Sequence, residues 1–385
     1  MGPAIALGQV DEFVNSVFGA DLHRKRIESL AGATTGVLRS AEVGIHAIGR
    51  ALALARGGTV KAKHTVKQVD RMLGNEAIDV WRLFESWVPF VVAERTELLV
   101  ALDWTEFERD KQSTISVSVV TSHGRTTPLV WMTVEVESKH DQSIHFEQAL
   151  LARLRQVLPP TVKQVIVLAD RGFGDVPRLD GFTEFGFDFV VRIKGPLRVS
   201  DASGTERAAE EWLGPGGALR TLKGARITLQ HSPVAAFVAV KKAQMKEGWF
   251  LVTSLAEITG TEVMKLYSRR FTIEESFRDI KNLRFGMGLS GARVSTRDRR
   301  DRLLLLSAMG IALLTLLGAA GEAVGLDRHF RTNTSKKRQY SLFHQGCDYY
   351  EFLPGMADAW ALPLVTKFAE MLTQHRVFTE ALGPI

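Results

Sequence analysis

Cysteine is nearly absent from the sequence. Cys347 is the only cysteine in 385 residues, which excludes an internal disulfide framework and a zinc site built from several cysteines. This composition is typical of proteins from a reducing compartment. The first residues also lack the basic start and the long apolar run of a secretory signal peptide. We therefore predict a cytoplasmic location.

Long hydrophobic runs are scarce as well, since only one uncharged stretch, residues 303–321, has the length of a membrane span. The basic letters RDRRDR precede it and Glu322 follows it. A helix that is apolar on all sides also occurs in the core of large soluble proteins. We predict a buried core helix over 302–324, and a membrane-associated protein is the alternative.

The chain has no large excess of one charge. Its 49 Lys and Arg against 43 Asp and Glu give a net charge of +6. A moderately basic balance favours an anionic partner such as nucleic acid, because Lys and Arg displace the counterions of phosphate. Hydrophobic residues make up 45% of the sequence, which is enough for a large core, and the length allows two or three domains.

Apolar residues recur at helical spacing through residues 10–92, which predicts an N-terminal helical domain over 1–95. Basic residues at 23–26 and 61–67 make this domain a candidate for binding a DNA end. Acidic residues nearly balance them, so ordinary solvated helix faces are the alternative.

The pattern changes to strands after this domain. Apolar or alternating runs predict strands at 98–104, 115–119, 129–136, 165–169 and 187–193, and helices at 143–157 and 176–185. Three strands, helix, strand, helix and strand is the order of a ribonuclease-H-like sheet. We therefore predict an α/β fold with a mixed-sheet core.

The core is interrupted after the fifth strand. Strand-like runs within residues 195–254 predict a β-rich insertion, and the core resumes over 255–326, so that 96–194 and 255–326 form one catalytic unit. A long helix is predicted at 261–283. The remainder, 327–385, is predicted to be a basic C-terminal region with a helix at 362–374, suited to DNA or dimer contacts.

One helical segment, YSRRFTIEESFRDIK, carries the best chemical signal. At about 100° per residue, its Tyr, first-turn Arg, Glu, second Arg and final Lys share one narrow helix face. These residues are Tyr267, Arg270, Glu274, Arg278 and Lys281. An acid among bases suits a site where the acid holds a metal and the bases hold phosphate. A solvated helix with ion pairs four residues apart is the alternative.

Two further acids, Asp103 and Asp170, each stand at the end of an apolar strand. Together with Glu274 they could hold two Mg²⁺ or Mn²⁺ ions, the arrangement that phosphodiester cleavage by two metals requires. A strand-terminal Asp that only forms a turn is the alternative for each of them.

These motifs resemble those of insertion-sequence transposases of the DDE type, in the group with a Y-(2)-R-(3)-E-(6)-K signature. Tyr267, Arg270, Glu274 and Lys281 match the signature without a gap. The segments ADRGFGD, around Asp170, and LVALDWT, around the first acid, resemble the family's other two acidic motifs. The family also has a β-rich insertion before the helix that carries the Glu.

The resemblance implies a role for each residue. Asp103, Asp170 and Glu274 would hold the metals. The residues that would contact DNA are Tyr267, Arg270, Arg278, Lys281, Arg192, Lys194 and Trp249. Trp249 would stack on a flipped base, with a core tryptophan as the alternative. A solvated basic pair is the alternative for Arg192 and Lys194.

The resemblance further implies a cut-and-paste DNA transposase that acts as a homodimer on the double-stranded terminal inverted repeats of the element and on target DNA. The expected location is the bacterial cytoplasm, at the nucleoid. A transposase-derived protein that binds DNA without cleaving it, or a stand-alone nuclease, would have the same motifs.

Overall fold

The computed structural model of the chain describes residues 7–122, 124–282, 286–332, 334 and 338–373. Two predicted helix ends, Leu283 and Gln374, lie outside these residues. The architecture is a mixed α/β fold, as predicted. It contains an eight-stranded sheet, and along the chain helices precede the strands, connect them and follow them.

Within the described stretch that begins at residue 7, five helices precede the sheet, in agreement with the helical periodicity of the first 95 residues. They are α1 (Leu7–Phe18), α2 (Arg24–Ser40), α3 (Ile45–Ala55), α4 (Ala62–Leu73) and α5 (Val80–Val92). Asp79 caps α5 by accepting a hydrogen bond from the amide of Arg82 at 3.3 Å. The indole of Trp87 in α5 donates to the carbonyl of Pro128 at 2.9 Å, which fixes α5 to the sheet.

The predicted order of strands and helices is confirmed over residues 97–192. The elements are β1 (Glu97–Phe107), β2 (Gln112–Val120), β3 (Thr126–Glu135), α6 (Val136–Val157), β4 (Gln164–Ala169), α7 (Val176–Glu184) and β5 (Asp188–Arg192). β1 to β3 form an antiparallel meander, whereas β4 lies parallel to β1, and β5 lies parallel to β4.

Seven short strands follow. They are β6 (Arg198–Ser200), β7 (Glu206–Ala208), β8 (Arg220–Lys223), β9 (Arg226–Ile227), β10 (Ser232–Pro233), β11 (Ala236–Val240) and β12 (Trp249–Thr253). The large sheet has the order β3-β2-β1-β4-β5-β12-β11-β8, and the small sheet has the order β10-β9-β6-β7. Part of the β-rich segment therefore extends the core sheet, because β12 pairs with β5 in antiparallel register, Leu251 opposite Arg192. Strand β9 ends at Ile227, since the next residue, Thr228, turns the chain with φ at +65°.

The single helix predicted over 261–283 is two helices, α8 (Gly260–Ser268) and α9 (Phe271–Lys281). At the junction the amides of Arg269, Arg270, Thr272 and Ile273 each bond to the carbonyl three residues back. This is the tighter 3₁₀ pattern, which turns the chain by about 120° per residue. The helix-face argument from the sequence therefore holds within α9 and fails across the junction.

The apolar segment forms most of α10 (Arg297–Ala323). Two further helices, α11 (Leu342–Phe352) and α12 (Asp358–Thr373), pack against it. α10 is long and apolar enough to cross a membrane, but 94% of its most apolar 18-residue window is buried inside the protein. The prediction of a core helix is confirmed, and burial by protein leaves the membrane-associated alternative without support.

Two arginines that precede the apolar run, Arg300 and Arg302, make structural contacts. Arg300 is fully buried, pairs with Asp110 at 2.5 Å and lies 4.0 Å from the ring centre of Phe107. Arg302 donates to the carbonyls of Leu73 and Ile78. These arginines tie α10 to the first hairpin of the sheet and to the N-terminal helices.

Candidate active site

The register of the sheet brings the two aspartates together. β1 and β4 are parallel, with Leu102 opposite Ala169. Asp103 and Asp170 are the next residue on each chain, so they lie side by side where neighbouring strands are about 4.8 Å apart. Asp170 directly follows β4, as predicted, but the prediction that Asp103 ends its strand is wrong. β1 continues to Phe107, and Asp103 lies within it where the pairing with β4 ends.

The loop after β4 holds Asp170 in a defined place. Its carboxylate accepts a hydrogen bond from the amide of Gly172 at 2.8 Å and so caps the 3₁₀ turn Arg171–Phe173. A Cβ atom on Gly174 would lie 2.7 Å from the carbonyl oxygen of Arg192. The glycine thus lets this loop close against the end of β5.

The third acid, Glu274, lies in the first turn of α9 and is linked to Asp103 through Arg270. One guanidinium nitrogen of Arg270 lies 3.4 Å from the carboxylate of Asp103, and the other bonds to the carboxylate of Glu274. Arg270 is only 6% exposed, and its Nε atom has no hydrogen-bond partner among the residues described. A buried cation therefore bridges two of the three acids.

The electrostatics connect all three acids. The pKa of Asp103 is raised to about 6, chiefly by burial; the nearby carboxylates of Asp170 and Glu274 contribute to the rise, whereas Arg270 and the amide of Trp104 oppose it. One guanidinium does not compensate for three acids, and the arrangement favours binding of additional positive charge.

An open cleft of about 400 Å³ gives access to these groups. Its lining consists of Asp103, Trp104, Glu274, Phe277, Arg278, Lys281, Asn282 and Ser290. Two acids and two bases of the predicted site thus share one opening. Asp170 is not part of this lining.

The donor set suits a hard divalent cation, because carboxylate oxygens are the ligands that Mg²⁺ and Mn²⁺ prefer. Across the described part of the chain, however, no three or more His, Cys, Asp or Glu are grouped closely enough to hold a metal ion. The three acids have the right chemistry to bind a metal ion. In the present arrangement, however, the guanidinium of Arg270 lies between two of them, Asp103 and Glu274.

The signature residues are distributed over different surroundings. Tyr267 is 1% exposed, burial raises the pKa of its hydroxyl, and its ring packs edge-on against Trp249 at 5.0 Å. Lys281 donates to the carbonyl of Glu106 at 2.8 Å at the cleft wall. Arg278 is exposed and pairs with Glu275 at 2.7 Å. Lys281 and Arg278 therefore border the cleft, whereas Tyr267 lies beneath the surface.

The remaining predicted DNA contacts lie near β5 and β12. Arg192 pairs with Glu247 at 2.7 Å and also donates to the carbonyl of Gly248. Lys194 is exposed two residues further on. Trp249 is half-buried and stacks on Phe271 at a ring distance of 5.9 Å. A DNA role for these residues stays a prediction.

Sequence reasoning missed several residues at the site. Phe271 is 40% exposed and lies 4.9 Å from the guanidinium of Arg270, and its place next to that arginine in the chain was the available signal. Glu247 bonds to both Arg171 and Arg192. Its partners are 76 and 55 residues away in sequence, so no local pattern indicates it.

The mixed α/β fold, with Asp103 and Asp170 side by side on two adjacent parallel strands, is that of the ribonuclease-H-like DDE transposases. Residues 94–313, more than half of the chain, match the family model described as a transposase DDE domain. The chain belongs to this family. Among curated proteins none matches the sequence. The matched region runs from the start of β1 into α10 and includes all three acids of the site.

Proposed function

We propose that this transposase is a metal-dependent enzyme that excises an insertion sequence and joins it to target DNA. The observation that carries the proposal is the position of Asp103 and Asp170 side by side on adjacent parallel strands, with Glu274 linked to Asp103 through Arg270. The gap-free Y-(2)-R-(3)-E-(6)-K spacing from Tyr267 to Lys281 supports assignment to the group with that signature.

In this proposal Asp103, Asp170 and Glu274 hold two divalent cations, Mg²⁺ or Mn²⁺. When bound, the cations supply Lewis acidity that activates the attacking water or 3′-hydroxyl and stabilises the leaving oxygen. Arg270 partly neutralises Asp103 and Glu274 in the DNA-free protein. In this proposal it donates to a phosphate of the DNA once those acids have another cation.

The bases at the cleft have a positioning role. Lys281 and Arg278 border the opening and hold the phosphates of double-stranded DNA, at the terminal inverted repeats of the element. Arg192 and Lys194 contact the backbone on the β5 side. Trp249 and its neighbour Phe271 form an aromatic surface on which an extruded base can stack.

A homodimer follows from the task, because joining two ends requires two active sites in one assembly. We place the protein in the bacterial cytoplasm, at the nucleoid, where its DNA substrate lies. Helices α11 and α12 and the basic segment before them are the candidates for dimer or DNA contacts in the C-terminal region.

The test uses the purified protein and a duplex that carries the inverted repeats flanking its coding region. With Mg²⁺ or Mn²⁺ we expect cleavage at the repeat ends and joining of the 3′-ends to a supercoiled target plasmid. Glu274→Gln is the control, since it keeps the size of the side chain and removes its charge.

Each outcome has a definite meaning. Activity in Glu274→Gln equal to that of the unaltered protein would remove the catalytic assignment. Cleavage without joining would indicate a stand-alone nuclease. Binding to the repeats without metal-dependent cleavage would indicate a DNA-binding protein derived from a transposase.

A further inference from the structure

A buried polar network lies behind the two aspartates and belongs to none of the groups assigned above. Its centre is Glu147 of α6, which is 4% exposed. The carboxylate of Glu147 accepts a hydrogen bond from the indole of Trp104 at 2.9 Å. It also accepts two bonds from the guanidinium of Arg178, at 2.5 and 3.2 Å.

Each end of this network is joined to one aspartate. Trp104 follows Asp103 in β1, and its amide donates to that carboxylate at 2.9 Å. Arg178 lies in the first turn of α7 and pairs with Asp175, the residue that caps this helix. Asp175 ends the short loop that begins at Asp170.

Arg178 also contacts the loop between Asp170 and Asp175 directly. Its guanidinium carbon lies 5.9 Å from the ring centre of Phe173, at the end of the turn that Asp170 caps, and it donates to Ser143 at 2.9 Å. Arg178 therefore has partners on α6, on the loop and on its own helix.

The energetics make this network a rigid connection. A buried carboxylate is tolerated when a guanidinium bonds to it in a two-pronged arrangement, and removing one partner leaves an uncompensated charge. Side chains held in this way have little freedom to shift. The chain of contacts from Trp104 through Glu147 and Arg178 to Asp175 thus resists any change in the distance between Asp103 and Asp170.

We propose that Glu147 and Arg178 are positioning residues that set the separation of the Asp103 and Asp170 carboxylates, and with it the affinity of the site for divalent cations. This inference rests on the proposed function, in which those carboxylates hold the metal. Neither Glu147 nor Arg178 touches the DNA or the reacting atoms in this view.

The test measures Mn²⁺ binding to the full-length, DNA-free protein by calorimetric titration, together with the Mn²⁺ concentration that gives half-maximal cleavage. For Glu147→Gln we expect binding weaker by about tenfold, as is usual when the groups that orient metal ligands are removed. The cleavage rate at saturating Mn²⁺ should return close to that of the unaltered protein. Arg178→Lys should shift both quantities in the same direction by less.

A matched control is available at the far end of α10. Glu322 is also bonded by two nitrogens of one arginine, Arg338, at 2.6 and 2.7 Å, and by one neutral donor, Gln345, at 3.0 Å. Glu322→Gln should lower thermal stability without changing Mn²⁺ affinity. A purely structural role for Glu147 predicts this same behaviour for Glu147→Gln, and that result would overturn the proposal.

If Glu147→Gln does not fold, Trp104→Phe removes only the indole donor and keeps an aromatic ring. Weaker Mn²⁺ binding in Trp104→Phe supports the proposal, and unchanged binding contradicts it. Asp103→Asn separates this inference from the function on which it rests. If Asp103→Asn abolishes Mn²⁺ binding and the network variants do not, only the positioning role fails. If the unaltered protein binds no Mn²⁺, the metal site and the positioning role fail together.

Discussion

The candidate site and the start of α10 both bury charge, and they do so in different ways. At the candidate site, Asp103 and Glu274 share the guanidinium of Arg270, Asp170 lies beside Asp103, and the pKa of Asp103 is raised to about 6, chiefly by burial. At the start of α10, the buried guanidinium of Arg300 meets one carboxylate, Asp110, and the amide oxygen of Gln112.

This difference in charge matching distinguishes a functional site, at the acids near Arg270, from a structural contact, at the start of α10. Buried charges that serve stability are matched by partners, whereas an unmatched group of like charges is tolerated where a ligand completes it. The candidate site therefore keeps a charge imbalance that costs stability and creates affinity for cations. The start of α10 keeps its charges nearly balanced and connects helices to the sheet.

The largest effect expected from this comparison concerns activity. Asp170→Asn should lower metal-dependent cleavage by at least roughly 10³-fold, as is usual for loss of an essential catalytic group. Its melting temperature should stay level or rise, because one of three mutually repelling charges is removed. Gel-based cleavage assays and calorimetry measure the two quantities. Strong destabilisation with residual activity would assign Asp170 to the scaffold.

The scaffold should respond in the opposite sense. Arg300→Leu leaves Asp110 without its buried partner, which should lower the free energy of unfolding by about 3 kcal/mol. Denaturant titration measures this loss. Mn²⁺ affinity of the folded fraction should be unchanged, and a shift in that affinity would show that the two regions are coupled.

Much of the fold could be predicted from the sequence because it depends on local patterns. Apolar runs before Asp103 and Asp170 predict two strands that bring these acids together, and the uncharged run in α10 predicts a helix buried on all sides. The strands and the buried helix were confirmed, whereas the end of the first strand at Asp103 was wrong because the chain continues as β1 to Phe107.

The rest depends on contacts between distant residues. The 3₁₀ turn at Arg269 leaves no mark in hydrophobic periodicity, since it changes the helix rotation by only a few tens of degrees. The pairing of Glu147 with Arg178 joins residues that are 31 positions apart in the sequence. No local sequence pattern indicates which distant residue will be the partner. The sharing of the core sheet by β12 was missed because any apolar strand can join an open sheet edge.

A smaller effect is expected where α10 meets α11. A Cβ atom on Gly318 would overlap the carbonyl oxygen of Leu342, so Gly318→Ala should destabilise the protein by about 2 kcal/mol. Gly32→Ala in α2 is the matched control. Its Cβ would meet only ordinary contacts, the nearest at 3.5 Å, and alanine favours the helix by about 0.5–1 kcal/mol. Equal effects of both substitutions in thermal unfolding would argue against a tight α10–α11 contact.

The smallest effect concerns an acid that lies beside the buried arginines and outside the site. Burial raises the pKa of Asp301 from 3.8 to about 7, although two hydrogen bonds from Thr133 lower it. The folded protein therefore binds more protons than the unfolded chain between about pH 4 and 7, and stability falls as pH rises through that window.

Asp301→Asn should remove this slope, because the amide is neutral throughout and its oxygen can still accept from Thr133. Relative to the unaltered protein the variant should gain about 1 kcal/mol at pH 8 and little or nothing at pH 4.5, since the side chain is partly accessible to water. Thermal unfolding at a series of pH values checks the difference. Parallel stability curves for the two proteins would mean that Asp301 keeps its charge at the start of α10 and is matched there like its arginine neighbours.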